Sequence, residues 1–387
     1  MPRARDRPAT ALMTRVVVIG AGIAGLISAW ALSDDVDSVV VHDAGLTGQA
    51  SPVAAGMLAS AAELADGEEA LHALAARSVR GWPELAGRLR DAGGVDVGLR
   101  DEGTLLLSLH RDDDAELDRH ARRLARLGLP AARLDARTCQ RLEPALSSAV
   151  RAGLRLEDDL SVDTTAVLAA LRGALRRRGV EIRSGAVEPV CTGERVTGVR
   201  LSSGEVHPAD VVVLAAGAHS RPLAARVGLE VGVRPVKGEL LRLRTHTPVL
   251  TCTLRAQVDG VPVYLVPRRN GEVVIGATSD DCGFDTRRTP RAALDLLLAA
   301  TAVVPELRDA ELVSHDVGLR PGTADNGPYL GEAAPGLVVA TGHYRHGYLL
   351  APATVGAVRH AVLGTAAWPE AVPFQPHRPV DQRVGLP

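Results

Sequence analysis

The apolar positions of this chain follow two alternating periods. Arg15-Val16-Val17-Val18-Ile19 is an uninterrupted run of the kind carried by a strand buried on both faces, and Leu26 to Ser33 repeats its apolar positions at helical spacing. Ser38 to Val41 is a second short run. Asp210-Val211-Val212-Val213-Leu214-Ala215-Ala216-Gly217 is a third, able to lie beside the first. Asp163-Thr164-Thr165 can cap a helix running to Arg178, Gly179 stops it, and Val180-Glu181-Ile182 starts a strand. Alternation of strand and helix at this spacing predicts a parallel sheet flanked by helices.

Between and beyond these segments the period changes. Glu63 to Arg90 reads as a helix broken near Trp82-Pro83, Gly103 to Leu109 as a strand, Asp113 to Leu127 as an amphipathic helix and Arg137 to Leu142 as a short one. Val187 to Cys191 and Arg195 to Leu201 predict hairpin strands with Gly198 and Gly204 at turns. From Pro235 to Pro290 the pattern alternates, with strands expected at Glu239 to Arg244, Val261 to Val266 and Glu272 to Ala277 in an antiparallel sheet. A helix from Pro290 to Val303, a strand Gly336 to Ala340 and a helix from Ala351-Pro352 complete the reading. The fold class is α/β (α+β).

Composition narrows what such a chain can do. It has 387 residues and a formal net charge of −2, which argues against a nucleic-acid or membrane-surface partner. No apolar run reaches the roughly 20 residues needed to span a bilayer. Cys139, Cys191, Cys252 and Cys282 have no paired spacing, so neither a zinc site nor a disulfide framework is expected, and a reducing cytoplasm fits. His343 and His346 lack metal-ligand spacing, so no metal is expected. Lys237 is the only lysine, a bias of composition rather than a functional signal. Met1 to Met13 carries Arg3, Arg5 and Arg7 but no apolar core of signal-peptide length; a disordered leader is expected there and an irregular tail over 367–387.

The chemistry enters at Gly20-Ala21-Gly22-Ile23-Ala24-Gly25, between the first strand and the first helix. Gly20 can make the tight turn, Gly22 can let backbone approach a pyrophosphate, and Gly25 can let the helix pack close on the sheet. Asp43 ends the second strand, where an acid accepts both ribose hydroxyls of an adenosine and disfavours a 2′-phosphate. Gly45 to Leu58 is small-residue sequence able to run along a planar ligand.

Together with this fingerprint, Ala54-Ala55-Gly56-Met57-Leu58, Arg234-Pro235-Val236-Lys237-Gly238-Glu239, Val263-Tyr264-Leu265-Val266-Pro267-Arg268, Ile275-Gly276-Ala277-Thr278, Gly318-Leu319-Arg320-Pro321 and Gly342-His343-Tyr344-Arg345 occur in the order that resembles the D-amino-acid oxidase family of flavoproteins, nearest to its glycine-oxidising branch. The resemblance covers about Thr14 to Gly364. It implies a Rossmann-like FAD-binding domain made of 14–90, 145–222 and 317–366, and a second, antiparallel-sheet substrate domain made of 91–144 and 223–316. It also implies noncovalent FAD and oxidative deamination of a small amine with O2 as partner, the imine being passed to thiamine thiazole synthesis. A homo-oligomer is compatible with it. The alternatives are a D-amino-acid or sarcosine-type oxidase or dehydrogenase, and a flavin-binding protein without activity.

Carried over by position, the resemblance assigns Gly20, Gly22, Ile23, Ala24, Gly25, Asp43 and Ala44 to the ADP half of FAD, and Ala50, Ser51, Ala55, Gly56 and Met57 to the flavin side. Val187 would supply backbone to the adenine, Gly217 would end a strand at the cofactor, and His343, Tyr344, Arg345, His346, Gly347, Tyr348 and Leu349 would wrap the ring. Arg320 and Arg345 match substrate-carboxylate positions, and Tyr264 a pocket tyrosine. Ser279 stands where the glycine-oxidising branch has a bulkier methionine, which would alter pocket size. The helix from Ala351-Pro352 is expected to aim its free N-terminal amides at the flavin.

Overall fold

The structure, a computed structural model, describes residues 14–378; the expected leader 1–13 and the tail residues 379–387 lie outside the described residues. The chain starts as its apolar pattern dictates. β1 (Arg15–Ile19) leads through the glycine turn into α1 (Ile23–Leu32), which returns to β2 (Ser38–Asp43). β1 lies between β2 and the strand Val211–Leu214, parallel to both, so its valines are covered on both faces. Burying each such side chain stabilises by roughly 1.5–3 kcal/mol, which is why Val16 to Ile19 carries no polar residue while Arg15 stays exposed.

The complete sheet has six strands in the order Tyr329–Ala334, Leu337–Thr341, Val211–Leu214, β1, β2, Glu181–Ser184. All are parallel except the edge strand Tyr329–Ala334. On one face α1 packs with the helices Thr164–Arg177, Glu69–Gly93 and Ala351–Leu363 over a core containing Leu26, Trp82 and Leu171. The other face is covered by a three-stranded sheet, Val206–Pro208, Arg195–Leu201 and Val187–Thr192. Asp163 caps its helix as expected, accepting from the amides of Thr165 (2.9 Å) and Ala166 (3.1 Å).

A second, eight-stranded sheet runs Glu311–Gly322, Arg234–Arg244, Glu272–Gly276, Val261–Pro267, Thr253–Val258, Thr104–Ser108, Ala152–Leu156, Ala132–Asp135. It is antiparallel apart from the pair Thr104–Ser108 with Thr253–Val258. Alternate side chains of its central strands point to two cores. Leu241, Leu243, Leu265 and Ile275 meet the helix Pro290–Val303, while Leu240, Val266 and Val274 face Ala55 with Val53 and Met57 beside it. Lys237, on the long strand Arg234–Arg244, is 3 % exposed and pairs with the fully buried Glu239 at 3.1 Å. The same carboxylate accepts from the Thr289 amide (2.7 Å) and hydroxyl (2.9 Å) at the start of Pro290–Val303.

Several elements differ from expectation. The helix expected from Glu63 begins at Glu69 and runs unbroken to Gly93 with Pro83 inside it. Pro83 itself sits on the exposed side, while Trp82 and Leu85 hold the opposite side in the core. Gly198 lies inside a strand at a bulge rather than at a turn. The strands Thr253–Val258 and Glu311–Gly322 were not anticipated as such, and Pro369–Phe374 in the expected irregular tail is a short 3-10 helix.

Candidate active site

A cavity of about 470 Å³ opens at the carboxyl ends of β1, β2 and Val211–Leu214 and continues to the inner face of the eight-stranded sheet. Its first wall is the glycine turn. Gly20 has φ +107, and a Cβ there would fall 2.4 Å from the carbonyl oxygen of Ala215; a Cβ on Gly25 would fall 1.9 Å from that of Gly20. No other residue fits either place. The turn thus delivers the start of α1 to the cavity. Ser51 Oγ accepts from the Ile23 amide at 2.9 Å, whereas the amides of Gly22 and Ala24 have no acceptor among the described residues. Unpaired donors at a helix N-terminus facing a cavity suit a phosphate. At the end of β2, Asp43 Oδ1 accepts from the Gly45 amide and Gln49 Nε2, both at 3.1 Å, and the carboxylate stays at the cavity wall. These residues fit the dinucleotide half of FAD.

The second wall is the segment 50–56, whose carbonyls are all taken by protein donors. Tyr348 hydroxyl donates to Ser51 O (2.8 Å), Arg242 to Pro52 O (3.4 Å) and Val53 O (3.3 Å), and Thr164 hydroxyl to Ala54 O (3.0 Å). Arg268 donates to Ala55 O, and the Val162 amide to Gly56 O. Arg242 is neutralised by Glu272 (3.0 Å) and Asp316 (3.3 Å). Arg268 has no ion-pair partner among the described residues, and burial pushes its guanidinium down to about 10. Arg242, on the strand Arg234–Arg244, and Arg268, directly after Val261–Pro267, therefore fix the backbone that lines the cavity.

At the far end lie the residues expected to meet substrate. Arg320, on Glu311–Gly322, donates to Thr278 O at 3.0 Å and lies beside the Tyr264 hydroxyl. No carboxylate among the described residues is within ion-pair distance of it. Burial raises the Tyr264 phenol, so it stays protonated. Two glycines make room for this pair. A Cβ on Gly238 would fall 2.3 Å from Arg320 Nη1, and one on Gly276 would fall 2.2 Å from the Tyr264 oxygen. Arg345 follows Tyr344, which is held at φ +47 and donates its amide to Pro321 O at 3.0 Å. Glu63 also faces the cavity, bound to Arg255 at 2.8 Å and within 3.3 Å of His346 Nδ1, a contact not aligned as a hydrogen bond. Burial pushes the Glu63 carboxyl up, but Arg255, His346 and Arg345 outweigh it and hold it at about 2. Desolvation lowers His343 and His346 to about 4, so both are neutral at physiological pH. The Thr354 hydroxyl donates to Leu350 O at 2.9 Å, so His343 Nε2 is the protonated nitrogen donating to Thr354 Oγ1 at 2.9 Å.

Of the positions singled out from sequence, the cavity brings together Gly20, Gly22, Ile23, Ala24, Asp43, Ala44, Ala50, Ser51, Ala55, Gly56, Met57, Val187, Gly217, Tyr264, Arg320, His343, Tyr344, Arg345, Gly347 and Tyr348. Gly25, His346 and Leu349 are not in its wall; Gly25 serves helix packing and His346 stands behind Glu63. Ser279 is exposed and outside the wall, so it does not set the cavity's size. The helix Ala351–Leu363 does not offer free amides: Ala351 donates to Tyr348 O (3.0 Å), Pro352 has no donor, and Ala353 donates to Ser78 Oγ (3.2 Å). Glu63, Gly238 and Gly276 were not read as site residues. Glu63 falls at the start of an expected helix, and the two glycines stand within the motifs that carry the family resemblance but have no role assigned there; their task is set by the bulky side chains above them.

The chain belongs to the FAD-dependent oxidoreductases of the D-amino-acid oxidase type: the family's model matches residues 15–358. Within it, the chain is 34% identical to the glycine oxidase of Geobacillus kaustophilus over 88% of this chain and 90% of that protein, and 33% identical to that of Pseudomonas putida over 94% and 98%. The bifunctional protein ThiO/ThiG of Nostoc sp. is 33% identical over 97% of this chain and 57% of its own length. The crystal structure of the Geobacillus kaustophilus glycine oxidase superposes with a TM-score of 0.87 at 32% identity, covering 95% of this chain and all of that one. The described helices include none long and apolar enough to cross a membrane.

Proposed function

We propose that the protein oxidises glycine and similar small primary or secondary amines to the imine, with O2 as electron acceptor, in the cytoplasm, and that the imine serves thiamine thiazole formation. The observation that carries this reading is Arg320, a guanidinium in the cavity with no carboxylate of its own. A planar fork pairs with an amino acid carboxylate through two parallel hydrogen bonds, and Tyr264 can add a third donor. Thr278 O and Gly238 fix the fork from behind, so the bound α-carbon is held at one place. The small wall residues Ala55 and Gly56 leave room for a planar ring, and Gly22, Ala24 and Asp43 would hold the pyrophosphate and ribose of FAD. When bound, FAD supplies the two-electron acceptor that no side chain can provide. Similarity to the bifunctional protein ThiO/ThiG and to a Rhizobium etli protein named as a thiamine biosynthesis oxidoreductase, ThiO, supports the thiamine assignment.

The test is an amine panel on the purified yellow protein, with oxygen uptake and peroxide as readouts. Glycine, sarcosine and D-alanine are expected to be oxidised, glycine most efficiently, and denaturation is expected to release free FAD. Turnover of none of them by FAD-loaded protein refutes the proposal.

A further inference from the structure

Among the described residues, the acids in the cavity wall are Asp43, Glu63 and Glu188. Asp43 ends β2 and Glu188 lies on Val187–Thr192, both at the nucleotide end. Glu63 stands at the opposite end, where the Tyr264 phenol feels both its charge and that of Arg320. Its side chain is only 9% exposed. A carboxylate this buried is costly, and several other buried polar side chains are committed to placing it. It ends a turn, 60–63, whose backbone is fixed from three directions. Asp159 accepts from the amides of Ala61 (3.0 Å) and Ala62 (3.2 Å). His120 donates from Nε2 to Ala61 O (3.0 Å), its tautomer set by Arg123, which donates to Nδ1 at 3.0 Å. His72 donates from Nδ1 to Ser60 O (3.0 Å).

The carboxylate so placed is used on one side only. Glu63 Oε1 accepts from Arg255 at 2.8 Å. Oε2 lies 3.3 Å from His346 Nδ1 without the alignment of a hydrogen bond, and no donor among the described residues meets it. Arg255 and His346 stand behind the wall, whereas Glu63 is part of it. A plain counter-ion closes both oxygens on its partner's fork, as Asp325 does with Arg378 at 2.9 and 3.0 Å. Glu63 keeps one oxygen uncommitted instead. A guanidinium without a carboxylate of its own and a carboxylate with an oxygen to spare thus line one end of the cavity, the charge pattern of an amino acid zwitterion.

We propose that Glu63 Oε2 receives the ammonium group of the substrate while Arg320 and Tyr264 hold its carboxylate. The proposal rests on the cavity being an amine-oxidising site, and it names the residue that separates amino acids from simple carboxylates there. Arg255, Asp159 and His120 are positioning residues: the first orients the carboxylate, the other two fix the turn that carries it.

Binding to the FAD-loaded protein, reduced and kept under argon, tests it. The reduced cofactor cannot take electrons from an amine, so glycine binds without turnover, and propionate is its isostere with CH3 in place of the ammonium. Calorimetry should show wild type binding glycine about tenfold or more tighter than propionate. In Glu63→Gln the gap should shrink to about twofold, with the affinity for propionate itself changed by less than about twofold. Equal binding of the two ligands by wild type, an unchanged gap in Glu63→Gln, or an equal loss of both ligands overturns the proposal. Should Glu63→Gln fail to load FAD, Glu63→Asp decides: drawing the carboxylate back by one methylene should weaken glycine about threefold more than propionate, and equal effects overturn the proposal. Any of these adverse results beside normal oxidation of glycine by wild type removes the ammonium role and leaves the oxidase reading intact. Failure of wild type to oxidise any amine overturns both.

Discussion

At the scale of single residues, the site is made by what is missing as much as by what is present. Gly238 and Gly276 lie on adjacent strands, and the space where their side chains would stand is filled by Arg320 and Tyr264. Arg320→Ala should therefore reduce kcat/KM for glycine by about 2–4 kcal/mol of transition-state stabilisation with FAD still bound, and Arg320→Lys should recover little, since an ammonium has no fork. Gly238→Ala should produce a similar loss by displacing the same guanidinium. Wild-type kinetics in both variants would remove Arg320 from the site. Glu63 allows a second test. Its folded value near 2 lies below the ordinary 4.5, so the carboxylate contributes stability above pH 4.5 that is lost as pH falls through 2. The window amounts to about 3 kcal/mol. Unfolding free energy measured across that range should fall steeply for the wild type and distinctly less for Glu63→Gln; identical slopes would show that Glu63 is not held by its cations.

At the scale of elements, the segment 50–56 is the one whose conformation the site depends on, and its own sequence does little to set it. Ala50-Ser51-Pro52-Val53-Ala54-Ala55-Gly56 has no period and no large side chain to anchor it. Its course is imposed by donors far away in the chain, Arg242, Arg268, Thr164 and Tyr348. Arg268→Met removes the donor to Ala55 O and should weaken FAD binding by about 1–3 kcal/mol, read as the dissociation constant of FAD from reconstituted apoprotein. Retention of wild-type affinity would mean that the segment holds its course without the arginine. The same logic explains what could be read from sequence. The glycine turn, β1 and the helix Pro290–Val303 were legible because their determinants are local: a β-type apolar run, close-packed glycines, a Thr289 cap followed by proline. Glu311–Gly322 was not, because it is an edge strand with only one full strand neighbour, bridged on its other side at Leu319 alone, and Ser314, His315 and Asp316 interrupt its apolar pattern. Pro83 was misleading for the opposite reason, since burial of Trp82 and its indole donation to Tyr348 O (3.1 Å) outweigh the local penalty of a proline.

At the scale of the whole molecule, one sheet presents the glycine turn and the other presents Arg320 and Tyr264, and the cavity exists where they face each other. The expectation of a parallel sheet plus an antiparallel one is met, yet residues distant in sequence share sheets in ways that spacing alone does not reveal. Ala152–Leu156 joins the eight-stranded sheet beside Thr104–Ser108, and Thr104–Ser108 in turn pairs with Thr253–Val258. The sole lysine lies within that second sheet, sealed by Glu239 and by Arg287, whose carbonyl accepts from its ammonium. Amine-directed acylating reagents therefore meet no accessible lysine side chain on the folded protein, and coupling it to an activated surface through lysine should fail. Modification of Lys237, followed by mass spectrometry of its peptide, should proceed only when the strand Arg234–Arg244 opens. It should speed up in step with denaturant-induced unfolding, and rapid labelling under native conditions would contradict the buried pair. A compositional accident thereby leaves the protein with a single lysine as a chemical clock, placed one strand in from the edge of the sheet that faces the cavity.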